Sequence, residues 1–233
     1  CYMFTLRLCF SGRSVHRVFA TQSQEAFLEG HIEAFQALGG VPVRHVKYDN
    51  LKSAVTRVLF GQRDRVENER WIMFRSHYSF EAFYCLPGIE GAHEKGGVEG
   101  EGGRFRRNHL VPVPKVASLA ELNAKLAAID EADDARRING RLTTIGQDFA
   151  IEAPLLRPLP FEAFEPGLLL TPRVDRHARI TVRNCHYSVP ARFIGQKVRV
   201  RLRSNELIVF DGRTRIAHHE RSTRKGAQVL DLD

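Results

Sequence analysis

With 233 residues and 43% hydrophobic content, the chain can fill one large core or two small ones. Its apolar runs, among them those at 58–60 and 168–170, fall far short of the roughly 20 residues a bilayer-spanning helix needs, so no helical membrane span is expected. The formal charge of +8 is unevenly held: residues 171–225 carry 14 Lys and Arg against 4 Asp and Glu, whereas residues 1–170 carry 21 of each. The basicity therefore belongs to one C-terminal unit, which either meets a polyanion or simply presents a solvated Arg-rich surface.

The opening CYMFTLRLCF has neither an initiator methionine nor the small-residue cleavage site of a secretory signal, and is expected to be the middle of a longer chain. Cys1, Cys9, Cys85 and Cys185 lack the short paired spacing of a zinc site and the density of a disulfide scaffold, so a reduced cytoplasmic protein is expected. Tyr2, Phe4, Leu6, Leu8 and Phe10 alternate as one buried face of a strand, and after a turn at Ser11-Gly12-Arg13 residues 14–19 return as its antiparallel partner. From Ser23, an N-cap, the residues Phe27, Ile32, Phe35 and Leu38 recur at helical spacing until Gly39-Gly40 stops them. Residues 43–48 predict a short strand ending at Asp49, and a carboxylate at the C-terminal edge of a strand sits where α/β sheets bind ligands. Equally, Asp49-Asn50 can merely cap a helix starting near Leu51. A strand at 56–60, a helix at 67–77 holding Trp71, Ile72 and Phe74, and a strand at 79–85 complete a β-β-α-β-(β)-α-β order.

The stretch HEKGGVEGEGGRFRRNHL, residues 93–110, follows as a helix. Lys95 lies one turn before Glu99 and Arg106 two turns after it, which places the three on one face. Glycines at 100, 102 and 103 weaken that helix by roughly 1 kcal/mol each; they either admit a bulky substrate or mark a mobile segment. Asp49 and Glu99, on separate elements among Lys47, Lys95, Arg104, Arg106 and Arg107, are the groups a protein needs to hold a divalent metal against a phosphate backbone. The plainer reading makes Glu99 one carboxylate of an exposed helix.

Residues 118–137, with Leu119, Leu122, Leu126 and Ile129, predict a long amphipathic helix, and the Pro-rich apolar residues 143–170 predict an extended linker containing the boundary between two units. From Pro172 the period changes to short β runs at 180–184, 185–190, 197–202, 206–211 and 215–220, separated by turns, which predicts a small antiparallel barrel. In KVRVRLR the alternation sends Val198, Val200 and Leu202 inward and Lys197, Arg199, Arg201 and Arg203 outward, a stripe suited to a phosphate backbone.

The succession LRLCFSGR, VKYDN, YCLPG, KGGVEG and RFRRNHLVPVP, followed by HYSVP and GQKVRVRL, closely resembles IstA-type insertion-sequence transposases over essentially the whole chain. The resemblance implies an α/β fold with a ribonuclease H-like, integrase-type catalytic core at 1–117, a connecting segment at 118–170, a DNA-contacting β-barrel at 171–225 and a tail at 226–233. It also implies a DDE-type acidic triad binding two Mg²⁺ or Mn²⁺ ions, in which Asp49 matches the second acidic residue and Glu99 the third. The implied activity is metal-dependent DNA cleavage and strand transfer on transposon ends and target DNA. The implied partners are a helper AAA+ ATPase and further copies of the chain on DNA, with Lys95, Arg104, Arg106, Arg107, Lys197, Arg199, Arg201 and Arg203 as DNA contacts.

One departure matters. The first acidic residue of such a triad sits on the strand preceding LRLCFSGR, residues 1–48 contain no Asp, and Glu25, Glu29 and Glu33 fall on a predicted helix. The chain is thus expected to be a fragment whose first Asp lies upstream, and to be inactive alone. A non-catalytic DNA-binding and assembly module, and a nuclease that hydrolyses without joining, are the competing readings.

Overall fold

The computed structural model describes residues 1–48, 55–58, 65–85 and 92–231, and for 55–58, 65, 66, 92–96 and 99 it describes the backbone course alone. The chain forms two compact units, a larger one of residues 2–18 and 30–164 and a smaller one of residues 1, 19–29 and 165–233.

In the larger unit, β1 (Tyr2–Arg7) and β2 (Ser14–Phe19), whose last residue falls to the smaller unit, pair in a two-stranded sheet. Residues 8–13 join them, too few for the crossover a parallel pair requires, and the turn closes through the Leu8 amide, which donates to the Arg13 carbonyl at 2.8 Å. Helix α1 (Gln24–Leu38), whose residues up to Glu29 fall to the smaller unit, begins where Ser23 Oγ accepts the Ala26 amide at 3.4 Å and ends at Gly39, whose φ of +73° is the left-handed conformation that glycine adopts without steric cost. The predicted apolar stripe is corrected here: Phe27 and Ile32 are only half-buried, while Leu28, His31, Phe35 and Leu38 lie inside. The periodicity is right, but the face is turned by about one residue because a histidine, which a hydrophobic pattern skips, occupies an inward position.

Strand β3 (His45–Tyr48) comes next, then an antiparallel pair, β4 (Val55–Val58) and β5 (Arg65–Glu67), the latter not foreseen from sequence. Helix α2 (Glu69–Tyr78) is capped by Asn68, whose side chain accepts the Arg70 amide, and leads into β6 (Glu81–Tyr84). Strand β6 runs parallel to β3 with Tyr48 opposite Tyr84 at the C-terminal ends of both. Around this pair lies an aromatic core of Phe35, Tyr48, Trp71, Phe74, Tyr78, Phe80 and Tyr84, all buried, with His31 in its middle. The His31 ring meets Phe4 edge-on at 4.9 Å and lies 5.5 Å from both Tyr48 and Trp71.

Helix α3 (Ala92–His109) buries Phe105 against Val18 of β2 and Leu126 of α4 (Leu119–Ala132), with Leu119, Leu122 and Ile129 packed around them as the spacing predicts. Ser118 caps α4 by accepting the Glu121 amide. Helix α4 also covers the free edge of β2. Asn123 accepts the Val18 amide at 2.7 Å and donates to the Val18 carbonyl at 3.1 Å, and Asp130 accepts the His16 amide at 2.9 Å. Side chains of α4 thus stand in for a neighbouring strand at the His16 and Val18 amides. The expected extended linker contains a helix, α5 (Ile145–Glu152), set by a Thr144/Gln147 capping box and followed by a 3-10 turn that carries Pro154. That Thr-x-x-Gln signal lies in the sequence ahead of the prolines.

The smaller unit carries β7 (Leu168–Leu170), β8 (Arg179–Val182), β9 (Cys185–Ser188), β10 (Arg199–Leu202), β11 (Glu206–Asp211), β12 (Thr214–Glu220) and β13 (Gln228–Val229). Strands β8 and β9 are joined by a two-residue turn in which Arg183 and Asn184 both have positive φ, at 49° and 62°, the primed turn whose twist matches a hairpin. The expected barrel resolves into two sheets, a four-stranded one ordered β12-β11-β10-β7 and a three-stranded one ordered β13-β9-β8, and no closed ring of strands exists among the described residues. Ile180, Val182 and Tyr187 from one sheet and Val200, Leu202, Leu207 and Val209 from the other share a single core. The alternation predicted for KVRVRLR holds there, with Val198, Val200 and Leu202 buried.

Candidate nucleic-acid interface

Strands β3 and β6 end side by side at Tyr48 and Tyr84, and both phenols are tied into the aromatic core. Tyr48 Oη shares a hydrogen bond with His31 Nε2 at 2.8 Å, and Trp71 Nε1 donates to Tyr84 Oη at 2.8 Å. Tyr84 Oη in turn donates to Glu67, which is ion-paired to Arg75. Burial pushes the Tyr48 phenol well up, and burial reinforced by the Glu67 carboxylate raises that of Tyr84. Both stay neutral hydroxyls that position strands rather than move protons. Asp49, the next residue after this anchored strand end, lies outside the described residues.

Lys95 and Glu99 both fall within α3, as the sequence predicts, but their side chains lie outside the described residues, so the structure does not bring Asp49 and Glu99 together or apart. Among the described residues no group of three or more His, Cys, Asp or Glu side chains is placed to hold a metal ion. Of the suspect glycines, Gly100 has open space where a Cβ would stand and Gly102 only an ordinary contact with Met3. Packing demands neither. The close approach is at Gly97, where a Cβ would lie 2.7 Å from Arg7 Nη1.

The cations of α3 divide sharply. Arg104 turns into the unit, donating to Glu101 Oε1 through Nε at 3.0 Å and ion-pairing with Asp133, while Arg136 reaches Glu101 Oε2 at 3.3 Å. His16 Nδ1 lies 2.6 Å from Asp130 Oδ1, and its ring stacks on Phe105 at 3.7 Å. Although burial by itself would raise the Glu101 carboxyl, its hydrogen bonds from Arg104 and the charges of Arg104, Arg136 and His16 hold it below the usual carboxylate range. Arg104 is thereby a structural ion, engaged on its own fold. Arg106 and Arg107 are exposed, and neither makes an ion pair among the described residues.

The stripe on the smaller unit divides in the same way. Both oxygens of Glu165 are engaged: Oε1 accepts the Gly167 amide at 2.9 Å and Arg203 Nε at 3.1 Å, and Oε2 takes Arg203 Nη2 at 2.9 Å and Arg201 Nη1 at 3.2 Å. Arg203 is further held by Glu206 at 3.1 Å. Partial burial would raise the Glu165 carboxyl, yet the bonds from Arg203 and the Gly167 amide and the charge of Arg201 hold it low. Lys197 and Arg199, which stand about 7 Å apart along the strand, are exposed and make no ion pair among the described residues. Arg199 donates to the Gly212 carbonyl at 2.6 Å, and its guanidinium lies 5.5 Å from the Phe210 ring, which Arg201 approaches from 5.2 Å.

Sequence reasoning passed over three further residues here. Phe210 stands opposite Arg199 and also opposite Arg215 of β12, and Arg173 bridges to Lys197. The outward position of Phe210 in ELIVFD could have revealed it by alternation; the neighbourhood of Arg173 and Arg215 needed the strand pairing. The resulting patch of exposed cations around an aromatic face can meet phosphates and a stacked base or sugar edge.

A family model described as the Mu transposase C-terminal domain matches residues 159–231. A transposase for insertion sequences IS1326/IS1353 from Pseudomonas aeruginosa is 32% identical over 216 residues, covering 92% of this chain and 42% of the relative. A transposase for insertion sequence element IS21 from the same organism is 31% identical over 206 residues, covering 87% of this chain and 52% of the relative. The chain therefore spans about half the length of these curated relatives, or less. In a solved intasome of simian T-cell lymphotropic virus in complex with the PP2A regulatory subunit B56 gamma, a chain is similar at a TM-score of 0.45 and 10% identity, over 92% of this chain and 73% of that one.

Proposed function

Because the chain is a relative of insertion-sequence transposases over 92% of its length, we propose that it serves the cleavage and joining of DNA in transposition. That likeness carries the reading, and the free cations of the smaller unit agree with it. In this reading residues 1–117 are a ribonuclease H-like core, and the two-sheet unit is the counterpart of the family's DNA-contacting barrel. Asp49 and Glu99, hard oxygen donors of the kind Mg²⁺ or Mn²⁺ takes, hold metal with a third carboxylate. When bound, a metal pair supplies an activated water or 3′-hydroxyl and offsets charge on the leaving oxygen. Arg106 and Arg107 steady phosphates beside that centre, and Lys197 and Arg199 track a duplex backbone without reading its sequence. A helper AAA+ ATPase, assembly of several copies on DNA and a cytoplasmic setting belong to the same proposal.

The test incubates pre-processed element-end DNA with the 233-residue chain, with a chain extended upstream to include a further Asp, and with that extended chain carrying Asp49→Asn, in Mg²⁺ and in Mn²⁺. Strand transfer is expected only from the unsubstituted extended chain, since two carboxylates alone leave the repulsion between two divalent ions poorly offset. Joining by Asp49→Asn at an undiminished rate would remove Asp49 from the centre. Nicking without joining would favour a nuclease, and binding without either would favour an assembly module. Separately, Arg199→Ala is expected to weaken duplex binding alike on all sequences and to lower the salt slope by about one unit.

A further inference from the structure

We infer that Glu165 is a built-in competitor for the phosphate backbone, which withholds Arg201 from DNA and so sets the affinity of the smaller unit below what its sequence charge promises. The inference rests on the reading of that unit as a DNA-binding surface.

Four observations carry it. First, both Glu165 oxygens are engaged within the unit: the carboxylate takes two hydrogen bonds from Arg203, an ion pair from Arg201 and the amide of Gly167. Second, the site is shaped for the carboxylate. At Gly167 a Cβ would fall 2.6 Å from Arg201 Cγ and 2.9 Å from Glu165 Oε1, so a side chain at 167 would collide with the clamp. Third, the two arginines are held unequally. Arg203 has a second acid in Glu206 at 3.1 Å, whereas Arg201 has Glu165 at 3.2 Å as its single acid among the described residues and lies beside Phe210, on the ring that Arg199 also approaches. Fourth, all these groups belong to one compact unit, within residues 165–233.

The consequence is a charge-exchange step with no covalent change. A backbone phosphate approaching Arg199 meets an Arg201 whose charge Glu165 Oε2 already offsets, so the phosphate must share that guanidinium with the carboxylate or take its place. Arg201 then gains little net affinity and releases few counterions, because its charge is already neutralised in the free protein. Arg203, held by two carboxylates, stays where it is.

The test is a double-mutant cycle on the full 233-residue chain, reading duplex binding by fluorescence anisotropy between about 50 and 300 mM salt. Arg201→Ala alone should leave the salt slope unchanged. Glu165→Gln, close in shape but uncharged, should tighten binding about three- to tenfold and steepen the slope by about one unit. In the Glu165→Gln background, Arg201→Ala should now cost about one unit of slope and return the affinity close to wild type. A loss of one unit on Arg201→Ala in the wild-type background would overturn the inference, even if Glu165→Gln failed to fold. So would a gain from Glu165→Gln that persists without Arg201, since that gain would come from net charge alone. Absence of duplex binding by both the wild type and Glu165→Gln would instead overturn the DNA-binding reading, and this inference with it.

Discussion

The two units solve the problem of a core with different chemistry. The larger one gathers aromatic rings around His31 and threads hydrogen bonds through them, from His31 to Tyr48 and from Trp71 through Tyr84 to Glu67 and Arg75. The smaller one is mainly aliphatic, two sheets closing on Val200, Leu202, Leu207 and Val209, with the Tyr187 hydroxyl accepting the Ser222 amide at 3.1 Å. Aliphatic side chains fill space between pleated sheets without needing partners. Rings with polar tips fill more space per residue and also fix orientation, provided each tip finds its bond. The orienting core lies against the strand that ends one residue before Asp49, and the plain one supports a surface that needs only to stay flat and charged.

The contrast can be broken by substitution. Trp71→Ala should have the largest effect, about 3–5 kcal/mol by urea denaturation, since it empties the largest fully buried side chain and removes the donor to Tyr84. Leu202→Ala, equally buried, should cost about 2–4 kcal/mol with no polar component. If the Leu202 change costs as much as the Trp71 change, the polar threads add nothing. Tyr48→Phe, which keeps the ring and deletes the bond to a buried imidazole, should cost about 1–3 kcal/mol. The matched change Tyr187→Phe should cost about 0.5–1.5 kcal/mol, because the half-buried Ser222 amide it abandons can find water. Equal losses from the two tyrosines would erase the distinction drawn here.

Acid provides a gentler probe of the larger unit. The folded Glu101 carboxyl lies below its ordinary value, so its contribution is fully present above the unfolded carboxyl pKa of about 4.3 and is lost as pH falls through the lower folded value. Stability of the wild type should therefore fall more steeply below about pH 4.5 than that of Glu101→Gln, measured by urea midpoints from neutral pH to pH 3. Parallel curves would show that the carboxylate is not the ionised partner of Arg104 and Arg136.

Much of the architecture was written locally. The Ser23 cap, the stop at Gly39 and the alternation of KVRVRLR each depend on residues within one turn or one strand of each other, and each stands in the structure, whereas the expected turn at 11–13 starts earlier, β1 ending at Arg7 and leaving Phe10 exposed. Where pattern reading failed, a long-range preference outweighed the local one: the aromatic core drew His31 inward, and two shared sheets took the place of a ring of strands. Strand β5 was too short, at three residues, to carry a period.

Sequence by itself determined which residues of β10 face outward, because the pleat has a period of two and needs no distant partner. It also determined that the C-terminal third of the chain is basic. Only the tertiary structure decided which of those cations are free. Arg104 finds Asp133 across 29 residues, and Arg203 finds Glu165 across 38. A count of arginines is a property of composition, but the availability of a guanidinium depends on the carboxylate that folding brings to it, and Coulomb attraction falls with distance in space, without regard to distance along the chain.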